Sequence, residues 1–166
     1  MGYGVLLVEG TTMKCPSLGI VKLDGNDYGL KLKQIFERVT VLIDEYKPDQ
    51  FAIEAPFYGK NVQSMLKLGR AQGVAMAAAL IKEIPIAEYS PRKIKQSITG
   101  SGAASKEQVA SMIKTLVSLD VLPKHLDATD GLAAAICHHF QSSNKINTGK
   151  TGGWDNFIRN NPNRVK

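Results

Sequence analysis

Two short apolar runs on either side of one helix-length segment constrain this chain more than any other feature. Gln50 to Glu54 reads as a strand, Asn61 to Lys82 as an alanine-rich helix, and Ile84-Pro85-Ile86-Ala87-Glu88-Tyr89 as a second strand. A strand, a helix and a strand in succession form the crossover unit that joins parallel neighbours in a helix-covered sheet, which points to an α/β domain.

The flanking segments fit that class. Tyr3 to Val8 and Leu18 to Leu23 read as an antiparallel hairpin turning at Gly10-Thr11-Thr12. Leu32, Ile35, Phe36, Val39, Leu42, Ile43 and Tyr46 keep helical spacing until Lys47-Pro48-Asp49 stops them. Ser90-Pro91 can open a short helix, because proline suits a first helical turn. Ser105-Lys106-Glu107-Gln108 predicts a capping box for the next helix, which is expected to end near Leu116. A last helix is expected from about Leu126 to about Gln141. At 166 residues the chain suits one core, so the expectation is a single domain over 1–141 and a polar, basic tail over 142–166.

Charge narrows the partners. Between Ala55 and Lys106 eight basic residues (Lys60, Lys67, Arg70, Lys82, Arg92, Lys93, Lys95, Lys106) face two acidic ones, Glu83 and Glu88, and this window alone carries the net charge of +6. Such segregation suits a face that tracks phosphates, although a solvated lysine-rich face has the same composition. Cys15 and Cys137 lack the spacing of a disulfide framework or metal site, which fits a reduced cytoplasmic setting. The opening residues carry no secretion-signal pattern. The longest apolar stretch, Val74 to Ile81, falls well short of the ~20 residues of a membrane span.

Two places offer carboxylates where chemistry is expected. Glu54 ends an apolar strand, and ligands of open α/β sheets bind beyond the carboxyl ends of the strands. An exposed glutamate at a strand end has the same sequence pattern. Asp127 and Asp130 open the last helix one turn apart, with side chains about 5–6 Å from each other. Acids in a first turn also complement the helix dipole. However, this face continues through Ala134 and Cys137 toward the interior, and like charges so close repel unless a cation lies between them. Carboxylate oxygens suit Mg²⁺ or Mn²⁺ better than zinc, since His125, His138 and His139 have no matching cysteine or histidine partners. His138 is a second candidate beside the acids, and His125 reads as a surface residue.

Six separated motifs carry a resemblance. Phe51-Ala52-Ile53-Glu54, Gly59-Lys60-Asn61, Leu66 to Ala75, Lys93-Ile94-Lys95 with Gly100 and Gly102, Ala104-Ser105-Lys106 with Gln108-Val109, and Asp127-Ala128-Thr129-Asp130-Gly131-Leu132-Ala133 resemble, in order and spacing, the bacterial RuvC family of Holliday-junction resolvases. The resemblance implies an RNase H-like mixed sheet flanked by helices, and a homodimer that cuts symmetric strands of four-way DNA junctions. It further implies two Mg²⁺ or Mn²⁺ ions, one helping to generate the attacking hydroxide and the other stabilising the leaving oxygen. Glu54, Asp127 and Asp130 match family metal ligands. Lys95 and Lys106 match basic residues near the scissile phosphate, Lys106 among the catalytic set. Phe57 matches an aromatic that stacks on an unpaired base, and Lys60, Lys67 and Arg70 join the DNA-binding face. The small-residue helix with Gly69 and Gly73 resembles the dimer contact, and a branch-migration helicase complex is the implied partner.

One departure from the family pattern stands out. RuvC sequences open on a strand ending Gly-Ile-Asp-Pro-Gly, and nothing before Tyr3 matches it. The missing strand is the central one and carries a fourth acid. The expectation is therefore a sheet with a gap between the strands at Tyr3 and Phe51, a Met1 internal to a longer product, and weak or absent cleavage by the chain as it stands. The alternative function is a cleavage-deficient protein that binds branched DNA. An ATPase of related fold is disfavoured, because no glycine-rich phosphate loop is present.

Overall fold

The computed structural model describes residues 1–56, 61–119, 121, 123 and 126–147, with side chains through 143. Strands β1 (Gly2–Glu9) and β2 (Thr12–Ile20) form an antiparallel hairpin. Helix α1 (Tyr28–Tyr46) leads to β3 (Phe51–Glu54), α2 (Val62–Ile81) and β4 (Ile86–Tyr89), the last pairing parallel with β3. Helices α3 (Pro91–Thr99), α4 (Lys106–Leu116) and α5 (Asp127–Asn147) complete the order.

Local chemistry sets most boundaries. The Asp27 side chain caps α1 by accepting from the Leu30 amide, and Lys47 ends it in a left-handed conformation just before Pro48. Asn61 caps α2, and Ser90 caps α3 with Pro91 in its first turn. At α4 the Ser105 side chain accepts from the Gln108 amide while Gln108 accepts from the Ser105 amide, so the expected capping box is formed.

Two expectations are corrected. Strand β2 begins at Thr12 rather than Leu18, because Pro16 does not break it. β2 is an edge strand, where a missing amide is tolerated, and the register with β1 slips between Val5 and Leu7, beside the proline's neighbours. Helix α5 runs to Asn147, beyond Gln141, since no glycine or proline stops it there and the Ser142 hydroxyl bonds back to the His138 and His139 carbonyls. The expected tail beyond residue 147 lies outside the described residues.

The core has two parts. Ile35, Val39 and Ile43 of α1 meet Ala75, Ala78 and Ala79 of α2 and Ile84, the alanines letting the helices pack closely. Ile94, Ile98, Val109 and Ile113 from α3 and α4 pack on Leu132, Ala133, Ile136 and Cys137 of α5. Helix α5 also lies directly on β1. A Cβ on Gly4 would stand 2.6 Å from the Leu132 Cβ, and one on Gly131 2.6 Å from the Tyr3 Cα, so both contacts need glycine. None of the described helices is long and apolar enough to cross a membrane.

Among the described residues the strands do not join into one sheet. β1 pairs with β2 and β3 pairs with β4, as two separate two-stranded sheets. This matches the expected gap between the strands at Tyr3 and Phe51.

Candidate active site

The first turns of α4 and α5 supply charged groups that meet, and the carboxyl end of β3 supplies one that senses their charge. Glu54 is the last residue of β3, Asp127 and Asp130 sit in the opening turn of α5, and Lys106 is the first residue of α4. The Lys106 Nζ lies 3.1 Å from Asp127 Oδ1 and 3.2 Å from Asp130 Oδ2, donating to both. A single positive charge therefore bridges the two like charges.

Both carboxylates act on the lysine. The hydrogen bond to Asp127 is the main cause holding its ammonium above the ordinary lysine range, opposed by partial burial and aided by the charge and hydrogen bond of Asp130. Because the folded value is raised, the stabilisation is present at neutral pH and is lost only as alkaline pH passes through that raised value. With the three side chains 45–71% exposed, each pair contributes about 0.2–1 kcal/mol.

Glu54 belongs to the same electrostatic neighbourhood. Desolvation by surrounding protein pushes its carboxyl up, the Asp130 charge pushes it further, and Lys106 and Lys95 pull it back. The residue is nevertheless exposed to solvent, so its desolvation is partial. Its main chain is held by Gln72 of α2, whose Nε2 donates to the Glu54 carbonyl at 2.6 Å while Oε1 is buried with no hydrogen-bond partner among the described residues. Gln72 was not singled out from sequence. It lies within the Leu66 to Ala75 motif, but only the packing of α2 on the end of β3 reveals its contact.

The remaining expected site residues divide. Lys95 on α3 lies close enough to influence Glu54. The Arg70 guanidinium stands over the Tyr28 ring, 5.9 Å from its centroid, and the Tyr28 hydroxyl donates to the Lys67 carbonyl, so these two contact α1 rather than the acids. Phe57, Lys60 and His125 lie outside the described residues. His138 Nδ1 shares a 2.8 Å hydrogen bond with the Tyr89 hydroxyl at the end of β4. Glu9, the hairpin's own acid, is paired with Lys14 at 2.7 Å.

As to a metal ion, no three His, Cys, Asp or Glu side chains among the described residues are gathered tightly enough to hold one. The donor set nevertheless fits a hard cation. Asp127 and Asp130 already hold one cationic group between their oxygens, and Glu54 senses the charge of Asp130.

The α/β domain, with helices packed on short parallel and antiparallel strand pairs, has the RNase H-like fold of a nuclease family. The chain belongs to the RuvC family of crossover junction endodeoxyribonucleases, whose model matches residues 1–138. It is 56% identical to the RuvC of Cytophaga hutchinsonii, covering 100% of this chain and 82% of that protein. It is 57% identical to the RuvC of Bacteroides fragilis, covering 100% of this chain and 90% of that one. Thermus thermophilus RuvC superposes with a TM-score of 0.79 at 28% identity, over 87% of this chain and 89% of that chain. The same enzyme in complex with a Holliday junction substrate also superposes at 0.79, over 85% and 87% of the two chains.

Proposed function

We propose that this chain cuts four-way DNA junctions during recombination and repair, with Glu54, Asp127 and Asp130 as the ligands of Mg²⁺ or Mn²⁺. The observation that carries the reading is the meeting of Lys106 with Asp127 and Asp130 beside Glu54, in a member of the RuvC family. The Thermus relative seen with a Holliday junction supports the substrate. When bound, divalent ions supply activation of the attacking water and stabilisation of the departing oxygen. The chain's own residues have other tasks. Lys95 and Lys106 offset phosphate charge, while the Gln72 amide fixes the end of β3 from which Glu54 projects. By family resemblance Phe57, Lys60, Lys67 and Arg70 are the DNA-binding residues.

A homodimer fits helix α2. Gly69 and Gly73 have open space where a Cβ would stand, and Val62, Leu66 and Leu68 on the same helix are exposed. This small-residue, apolar surface suits a second copy. A branch-migration helicase complex is the partner that family resemblance implies.

The two separate sheets support the further reading that an additional strand, bearing a fourth acid, completes the site. Mg²⁺-dependent nicking of a synthetic four-way junction by this chain and by a version extended upstream tests the whole proposal. Symmetric nicks, faster in the extended version, are expected. A shift of the junction without nicked product from either version at any Mg²⁺ concentration would make the protein a binder of branched DNA instead.

A further inference from the structure

We propose that Lys106 is the resident counter-cation of the Asp127–Asp130 pair, occupying the oxygens a divalent ion needs and leaving them when that ion enters. This rests on the reading of the pair as part of a metal site. Nζ reaches an oxygen of each aspartate, at 3.1 and 3.2 Å, from the first residue of α4. The Lys106 backbone is fixed, because the capping box anchors Ser105 and Gln108 and Val109 is buried in the core. The four-carbon stem is not fixed in this way, and more than half of the side chain is exposed. The ammonium can therefore swing away while the helix stays in place.

Charge dictates the exchange. Two carboxylates one helical turn apart repel, and in the metal-free protein the lysine offsets that repulsion. A divalent ion on the same oxygens would repel an ammonium only a few ångströms away, so the two cations cannot share the pair at full strength. Seating the ion frees one positive charge at the edge of the site, where a nucleic-acid phosphate is its natural partner. Conversely, a phosphate that draws Lys106 away vacates the oxygens. Metal and DNA should then bind with positive coupling, each strengthening the other by the same factor. The lysine guards the acids in the free protein and contributes charge to the complex.

The test uses Mn²⁺ alone as the probe on the DNA-free chain, with bound metal read from the loss of the free-ion EPR signal. Lys106→Met removes the competitor and keeps the apolar stem. It is expected to bind Mn²⁺ about tenfold more tightly, the size expected when two exposed ion pairs stop competing. Lys106→Arg, whose planar fork can hold both carboxylates, should bind Mn²⁺ no more tightly than the unsubstituted chain. As a fold check, Lys106→Met should melt lower without metal and gain more from Mn²⁺ than the unsubstituted chain does. Equal or weaker Mn²⁺ binding by Lys106→Met overturns the exchange. The Asp127→Asn, Asp130→Asn double variant separates the two levels of the argument: if it binds Mn²⁺ as the unsubstituted chain does, the acid pair is not the metal site and both readings fall.

Discussion

Replacing Gly131 with alanine tests how tightly the acid-bearing helix is pinned to the hairpin. The new Cβ would stand 2.6 Å from the Tyr3 Cα, 2.8 Å from its carbonyl carbon and 2.9 Å from the Gly4 nitrogen, all backbone atoms that no side-chain rotation can move. Ordinary carbon contacts need about 3.5–4.0 Å, so β1 and α5 must separate by roughly 1 Å. Overpacking of this kind costs about 1–3 kcal/mol, and backbone obstruction puts it near the upper end. Alanine regains about 1 kcal/mol of helix propensity. The net loss is about 1–2 kcal/mol, or roughly 2–8 °C in melting temperature for a chain of this size. Thermal unfolding followed by circular dichroism measures it. Because Gly131 directly follows Asp130, the displacement also reaches the site, and junction nicking should fall by on the order of 100-fold. A Gly131→Ala protein that melts at or above the unsubstituted one would refute the close packing of β1 on α5.

Other outcomes follow from the same geometry. Gln72→Met keeps the bulk but removes the donor to the Glu54 carbonyl; junction nicking should slow with junction affinity unchanged, at a stability cost of about 0.5–1.5 kcal/mol, checked by single-turnover kinetics and urea unfolding. Glu54→Gln should raise the melting temperature of the metal-free protein at neutral pH, because the folded carboxyl is pushed up by desolvation and Asp130, and its ionised form is disfavoured. That gain should shrink as pH falls through the raised value and vanish below the unfolded value near 4, as a pH series of melting curves would show. Ile113→Ala, at a fully buried position, should cost about 2–5 kcal/mol in chemical denaturation. Gly69→Ala should leave the fold intact yet weaken self-association in sedimentation, since no atom of the described residues lies within 4 Å of where its Cβ would stand.

The parts of the fold set by short-range chemistry could be read directly from sequence. The Ser105–Gln108 capping box, Pro91 in a first turn and the stop at Lys47-Pro48 act within a few residues, and each lies where the pattern put it. Glu54 could be found because a four-residue apolar strand leaves little doubt which residue is its last. The course of β2 through Pro16 could not, because tolerance of a proline depends on whether the strand has a neighbour on that side. For the site, the acids were visible as residue types at suggestive positions. The bridging by Lys106 was not, because 21 positions separate it from Asp127 and only packing of α4 beside α5 closes that distance. Gln72 stayed hidden for the same reason, as an amide in a helix has no sequence mark that distinguishes a backbone latch from a solvated surface group.

Helix α5 lies against all four strands, and those strands do not otherwise form one ladder. This rod is thus a shared support for hairpin and crossover unit, beside the contact of Tyr3 with Arg38 of α1. Because Gly131 packs on Tyr3, a disturbance there would shift the first turn of α5 and so the spacing of Asp127 and Asp130 from Glu54, without unfolding either half. Amide-exchange rates along the first turn of α5 would thus act as a gauge of hairpin seating, slowing whenever something locks the two halves together.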